Sequence, residues 1–144
     1  MGSMDNFARI GNKQDEYYTI HINGSFKVKK EQENEILRHL IKLVSEAVVL
    51  SPKKNQIFIL YLHLNEFKIE NVRKTFVINM VKSFQLMFPE ALYKCYMCDS
   101  PTIFSCIYEI ISSCLDSRTR KKLEFIKTGD RFATQCSSKS VSQY

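Results

Sequence analysis

The segment 57–64 constrains the fold more than any other part of this chain. It runs Ile-Phe-Ile-Leu-Tyr-Leu-His-Leu, without the alternation of polar and apolar residues that is typical of a strand with one solvent-exposed face. A strand of this kind is buried on both faces, as in a parallel sheet with helices on each side. The segment therefore predicts the central strand of a parallel sheet.

Segments typical of helices and strands alternate around this run. Apolar residues recur at helical spacing within 30–50 and again within 70–87. The inner face of the second helix would carry Val72, Phe76, Met80, Phe84 and Met87. Further strands are predicted at 17–22, 93–98 and 123–127. This alternation predicts an α/β fold, with a mostly parallel sheet as the floor and helices flanking it.

An unusually apolar helix is predicted after Ser100, which would serve as its N-cap, with Pro101 at its first position. Glu109 is its one charged residue, so the helix must bury most of its circumference. A short basic, hydroxyl-bearing helix at 117–122 follows directly. This combination suits a ligand that is apolar at one end and anionic at the other, such as a phospholipid.

The residue pattern argues against an enzyme. Phosphate loops need glycine, and beyond Gly2 the chain has Gly11, Gly24 and Gly129, none of them in a nucleotide-binding pattern. No serine lies in a G-x-S-x-G elbow, and the histidines are scattered. We therefore expect neither an enzyme nor a bound cofactor.

A metal site is not expected either. Cys95 and Cys98 lie three positions apart on a predicted strand, so their side chains would point to opposite faces. The chain lacks a second C-x-x-C pair that would complete a tetrahedral site. Five cysteines in a chain of this size indicate reduced, buried thiols rather than a disulfide framework.

The net charge of +6 favours anionic partners. Basic residues are spread widely, with a local cluster at Arg118, Arg120, Lys121 and Lys122. No nucleic-acid motif accompanies the cluster, so we expect no nucleic-acid partner and favour transient contact with an anionic membrane surface.

The chain is predicted to hold one domain at 17–132. Residues 1–16 would comprise a remnant of an expression tag and an irregular segment, and residues 133–144 a disordered tail. No apolar run reaches the ~18 residues that a membrane span requires, and no secretory signal is seen. These features predict a cytoplasmic protein that associates with membranes transiently.

Four short motifs follow one another in the second half of the chain. They are Phe88-Pro89-Glu90, Asp99-Ser100-Pro101, Ile103-Phe104 and the run 115–122, Leu-Asp-Ser-Arg-Thr-Arg-Lys-Lys. In this order and spacing they resemble the (Y/F)-P-E step, the N-A-P-like turn, the Phe-containing helix and the L-D-P-x-T-x-x-K run of CRAL-TRIO lipid-binding domains. The resemblance covers about 56–125 and is greatest to phosphatidylinositol transfer proteins.

The resemblance implies a deep apolar pocket over the sheet, with a movable gate helix at 101–115. It assigns the headgroup to Glu90, Thr119 and Lys122. It assigns the acyl pocket and gate to Phe58, Leu60, Phe104, Ile107, Tyr108 and Ile111. The implied activity is to move phosphatidylinositol, or another phospholipid, between membranes.

The chain also departs from the family pattern. We expect it to lack the N-terminal helical extension, and a domain without that extension would expose apolar surface and could form a homodimer. Ser117 replaces the proline of L-D-P, and Phe58 and Leu60 replace hydroxyl residues of relatives that handle phosphatidylcholine. Two alternatives stay open: a protein-interaction domain whose pocket is filled by side chains, and a carrier of another small hydrophobic ligand.

Overall fold

Five strands form one sheet in the computed structural model, which describes residues 6–128. They are β1 (Ala8–Ile10), β2 (Tyr18–Asn23), β3 (Phe58–His63), β4 (Leu92–Cys98) and β5 (Leu123–Ile126). Their order across the sheet is the order of the sequence. β1 is antiparallel to β2 and the other neighbours are parallel, which confirms the predicted mostly parallel α/β fold.

Helices connect the parallel strands. They are α1 (Glu33–Leu50), α2 (Lys74–Met87), α3 (Ser105–Ser113) and α4 (Ser117–Arg120). Short 3-10 turns precede the first three, at Lys30–Gln32, Ile69–Asn71 and Thr102–Phe104. Each helix runs back from the carboxyl end of one strand to the edge where the next strand begins.

The described helices lie on one face of the sheet, not on both faces as the apolar run of β3 led us to expect. Parallel crossovers are right-handed, so a chain that adds each strand on the same side places every crossover helix on the same face. Ile20 and Phe58 accordingly pack against α1, and Met97 packs against α2 and α3. The residues of β3 that point away, Ile59 and Tyr61, are buried in a separate cluster without helices.

The stripe predicted for α1 forms most of the core beneath it. Its buried side chains are Ile36, Leu40, Leu43, Val44 and Ala47, which follow the period of a helix. The helix ends at Leu50, where Ser51 turns to an extended conformation before Pro52. The first helix thus matches its sequence pattern closely.

The later helices correct three predictions. Met87 is 50% exposed instead of facing inward. α3 starts at Ser105, because Thr102–Phe104 form a 3-10 turn, and Ser100 is not its N-cap. The basic helix α4 ends at Arg120 and is capped by Asp116, whose side chain accepts a hydrogen bond from the Thr119 amide at 2.7 Å.

The prediction that residues 1–16 are irregular is wrong for β1, a three-residue strand paired with β2. The loop from Gly11 to Tyr17 then crosses the sheet face that bears no helices. Thr19 donates a hydrogen bond to the Asn12 carbonyl at 2.7 Å, and Tyr61 donates one to the Gln14 side chain at 2.6 Å. The predicted tail at 133–144 lies outside the described residues.

Candidate functional site

A cavity of about 220 Å³ lies between the sheet and the helices on its covered face. Its walls come mainly from β2, β3, β4, α1 and α2, with single residues from α3, α4 and β5. Its apolar lining includes Ile20, Ile22, Leu40, Val44, Phe58, Leu60, Leu62, Met80, Val81, Phe84, Phe88 and Leu92. Several of these, Leu60, Phe84 and Phe88 among them, are only partly buried. The described part of the chain therefore leaves space in its interior.

The polar end of the cavity lies at the edge where the strands begin. Glu90, Thr119 and Lys122 all line it, so the three residues assigned to the headgroup are brought together. Lys122 Nζ donates a hydrogen bond to the Leu92 carbonyl at 2.7 Å and lies 3.9 Å from a carboxylate oxygen of Glu90. Its side chain is only 12% exposed, so a cation is held close to an apolar wall.

Glu90 owes its position to an unusual backbone conformation. Its φ of 67° lies in the left-handed region. Glu90 directly follows Pro89, in the short segment between α2 and β4. Such a conformation costs about 1 kcal/mol or more in a residue other than glycine. The Glu90 carbonyl accepts a hydrogen bond from the Gln56 amide at 2.7 Å, which holds this corner to the start of β3. The proline-glutamate step thus turns the carboxylate toward α4.

Arg118 is the second cation at this end, a member of the basic cluster that was not assigned to the headgroup. Its guanidinium donates a hydrogen bond to Glu90 and forms an ion pair with it. Hydrogen bonds from Thr119, through its amide and its side chain, hold the pKa of the Asp116 carboxyl below its usual range. The carboxylates of Glu90 and Asp116 thus both interact with residues of α4. The Lys122 side chain lines the cavity.

The structure separates the six residues predicted for the acyl pocket and gate. Phe58, Leu60 and Ile111 line the cavity. The other three do not line it: Phe104 and Ile107 are buried in a neighbouring cluster with Leu64, Phe67 and Met97, and Tyr108 packs on that cluster. Phe104 lies in the 3-10 turn before α3, and Ile107 is the one buried residue of α3 itself.

The helix α2 supplies lining residues that sequence reasoning had assigned to the core. Met80 and Phe84 line the cavity, and both belong to the predicted inner stripe of this helix. A stripe that faces a cavity and one that faces packed side chains have the same period. No signal in the sequence distinguishes them.

The chain matches the family model of the CRAL/TRIO domain over residues 10–144. The chain belongs to the CRAL-TRIO family. The resemblance on which the first expectations rested is thereby confirmed, and it extends over far more of the chain than 56–125.

The relatives of this CRAL-TRIO chain include phosphatidylinositol transfer proteins named SFH5. The protein of Candida glabrata is 26% identical over 130 residues, covering 82% of this chain and 44% of the relative. That of Vanderwaltozyma polyspora is 24% identical over 135 residues, covering 88% of this chain and 46% of the relative. The chain thus spans less than half the length of these two relatives.

The fold matches a solved structure, described as the crystal structure of Sfh5. The TM-score is 0.74 at 18% identity, covering 92% of this chain and 51% of the other. At this level of identity the match concerns the fold alone.

The two cysteines of β4 lie on opposite faces of this CRAL-TRIO sheet, as the strand period predicts. Cys95 lines the cavity, and Cys98 packs with Ile59 and Tyr61 on the other side. Burial raises the pKa of each thiol to about 12, so both stay protonated near neutral pH. Among residues 6–128, no cluster of three or more histidine, cysteine or acidic side chains could hold a metal ion.

The face without helices carries a row of stacked rings. His21 stacks on Tyr61 with 5.0 Å between ring centroids, and its Nδ1 lies 2.9 Å from Nε2 of His63. Burial lowers the pKa of His21 to about 4, with smaller contributions from His63 and Arg9. Burial also lowers the pKa of His63. A Cβ at Gly11 would lie 2.7 Å from the His21 ring, which explains the glycine there.

We expect the free energy of unfolding to fall as the pH drops from about 6.5 to about 4. His21 takes up its proton near pH 4 in the folded chain and near pH 6.5 in the unfolded chain. Protonation therefore favours unfolding throughout this window. The full linkage would be about 3 kcal/mol, and partial exposure of the ring reduces it to about 1–2 kcal/mol.

Urea unfolding of the parent and of His21→Asn, at pH 7 and at pH 5, measures this effect. The variant should lose part of the difference in unfolding free energy between the two pH values. An equal difference in both proteins would contradict the assignment to His21.

Within the described part of the chain, no helix has both the length and the apolar character required to cross a membrane.

Proposed function

We propose that this CRAL-TRIO chain binds a single phospholipid and moves it between membranes, and that phosphatidylinositol is its preferred ligand. The acyl chains would occupy the cavity, and the headgroup would lie at the end formed by Glu90, Thr119 and Lys122. The names of the SFH5 relatives support the choice of lipid. The observation that carries the proposal is an apolar cavity that ends at a lysine with little exposure.

The apolar walls account for the affinity for acyl chains. Each methylene group moved from water into the cavity contributes about 0.8 kcal/mol. The cavity of about 220 Å³ is smaller than the ~300–1,000 Å³ that is usual for drug-sized ligands, so a two-chain lipid requires it to widen.

The helix α3 is the element best placed to widen the cavity. Ile107 is its one buried side chain, so displacing α3 exposes less core than displacing α1 would. Ile111 joins the helix to the cavity wall, and the Gln85 side chain donates a hydrogen bond at 2.6 Å to the Cys114 carbonyl just beyond α3. Motion of the predicted gate at 101–115 would therefore open the cavity directly.

The polar end fits a phosphate next to hydroxyl groups. A phosphate taken out of water needs a compensating charge, which Lys122 Nζ supplies without leaving its hydrogen bond to Leu92. Thr119 lines the same end of the cavity, and its hydroxyl would turn from Asp116 to donate to a phosphate oxygen. Glu90 can accept hydrogen bonds from inositol hydroxyls, while Arg118 neutralises its charge.

An organic extract of the purified full chain tests the function most directly. After incubation with vesicles of mixed phospholipids and re-isolation, mass spectrometry should find about one phospholipid per chain, enriched in phosphatidylinositol. Protein that carries no lipid after this treatment would contradict the proposal and favour a protein-interaction domain. A neutral hydrophobic compound in place of phospholipid would contradict the headgroup assignment.

A further inference from the structure

Four large apolar side chains are exposed where α1 and α2 end. The exposed fractions are 80% for Val49 and 64% for Leu50 on α1, and 84% for Leu86 and 50% for Met87 on α2. Both helices line the cavity and contact each other, and both run back to the edge where the next strand begins. We name these four residues the apolar rim. Exposed apolar residues in such a group mark an interaction surface.

Two basic side chains lie near the ends of the helices that carry the apolar rim. Lys54 follows α1, and Lys82 lies one helical turn before Leu86. Both are exposed, and within residues 6–128 neither forms an ion pair. The charges next to the apolar rim are therefore free to meet an external anion.

We propose that the apolar rim docks this domain on an anionic membrane, with the rim residues inserted among the headgroups and the lysines next to lipid phosphates. Apolar residues flanked by lysines are the combination that binds peripheral proteins to such membranes. A second copy of the chain fits less well, because a symmetric dimer through this patch would bring the same lysines together.

The position of the apolar rim would give docking a role in lipid exchange. The polar end of the cavity, with Glu90, Thr119 and Lys122, lies at the same edge of the sheet. Docking through the rim would therefore place this end against the membrane from which a lipid is taken. This part of the inference rests on the proposed function.

Flotation with vesicles tests the docking surface. We compare phosphatidylcholine vesicles with and without about 30% phosphatidylserine. The parent should bind the anionic vesicles, and Leu50→Glu/Leu86→Glu should bind roughly tenfold more weakly. The control variant Ile69→Glu/Ile103→Glu changes two exposed apolar residues at the opposite edge and should bind like the parent. Raised salt should weaken binding of the parent.

The outcomes separate docking from ligand binding. A water-soluble short-chain phosphatidylinositol should bind equally well to the parent and to Leu50→Glu/Leu86→Glu, since neither residue lines the cavity. Failure of the parent to bind this lipid would contradict the proposed function. The flotation result would still test the docking proposal. The docking proposal would be overturned if the parent did not float with anionic vesicles, or if the control variant also lost flotation. It would also be overturned if the parent formed a dimer that did not float and Leu50→Glu/Leu86→Glu made that dimer monomeric.

Discussion

Lys122→Ala should transfer phosphatidylinositol between vesicles roughly 10- to 100-fold more slowly than the parent, whereas Lys121→Ala should stay within about twofold. A hydrogen bond to a charged group contributes about 1.5–3 kcal/mol, which corresponds to that range. Lys122 lies at the cavity with 12% of its side chain exposed, whereas its neighbour Lys121 points to solvent. The two variants therefore compare a lysine that lines the cavity with its exposed neighbour in the sequence.

The backbone at Lys122 should survive the substitution. Its carbonyl accepts a hydrogen bond from the Cys95 amide at 2.9 Å, and its amide donates to the Thr119 carbonyl at 2.9 Å. Alanine leaves both bonds intact and removes the hydrogen bond from Nζ to the Leu92 carbonyl, so the free energy of unfolding should fall by only about 1 kcal/mol. Donor vesicles with labelled phosphatidylinositol or labelled phosphatidylcholine give the rates. Equal transfer by the two variants would contradict the role of Lys122 in binding the headgroup.

Leu60→Trp should abolish lipid loading with little loss of stability. Ile59→Trp should lower the free energy of unfolding and leave lipid loading unchanged. Leu60 lines the cavity from the centre of β3, so a larger ring would take the volume intended for acyl chains. Ile59 is 3% exposed on the other face, in a packed cluster where overpacking costs about 1–3 kcal/mol. The two substitutions enlarge neighbouring residues that face opposite sides of one strand.

Extraction of lipid after vesicle incubation and urea unfolding measure the two effects separately. We expect less than about one tenth of the parental lipid in Leu60→Trp, because the ring occupies space that each acyl chain needs. Normal loading of Leu60→Trp would mean that the acyl chains lie elsewhere. A stable Ile59→Trp would mean that the uncovered face is less tightly packed than the structure indicates.

Local patterns predicted the parallel strands and the long helices, because an apolar run and a helical stripe depend on nearby residues alone. The side of the sheet on which the helices lie was not predicted. It depends on the order in which strands are added, and β3 is apolar on both faces in either arrangement. The strand β1 was missed because three residues are too few for a period to appear, and their pairing depends on β2.

The residues of the candidate site that belong to local motifs were predicted, whereas contacts between residues distant in sequence were not. Glu90, Thr119 and Lys122 were assigned through motifs, and the structure brings them to one cavity. The ion pair of Arg118 with Glu90 joins residues 28 positions apart, a distance that no local pattern reports. Phe104 and Ile107 pack in a cluster beside the cavity, and this placement depends on tertiary packing that no local pattern reports.

The sequential order of the strands bears on how the domain assembles during synthesis. Every strand pairs with the strand just before it, so each can add to a finished edge as the chain lengthens, without waiting for a distant partner. Of the described elements, α4 and β5 join last, and they bring Thr119 and Lys122 with them. A nascent chain would therefore complete most of the apolar lining before Lys122 is added at the polar end of the cavity.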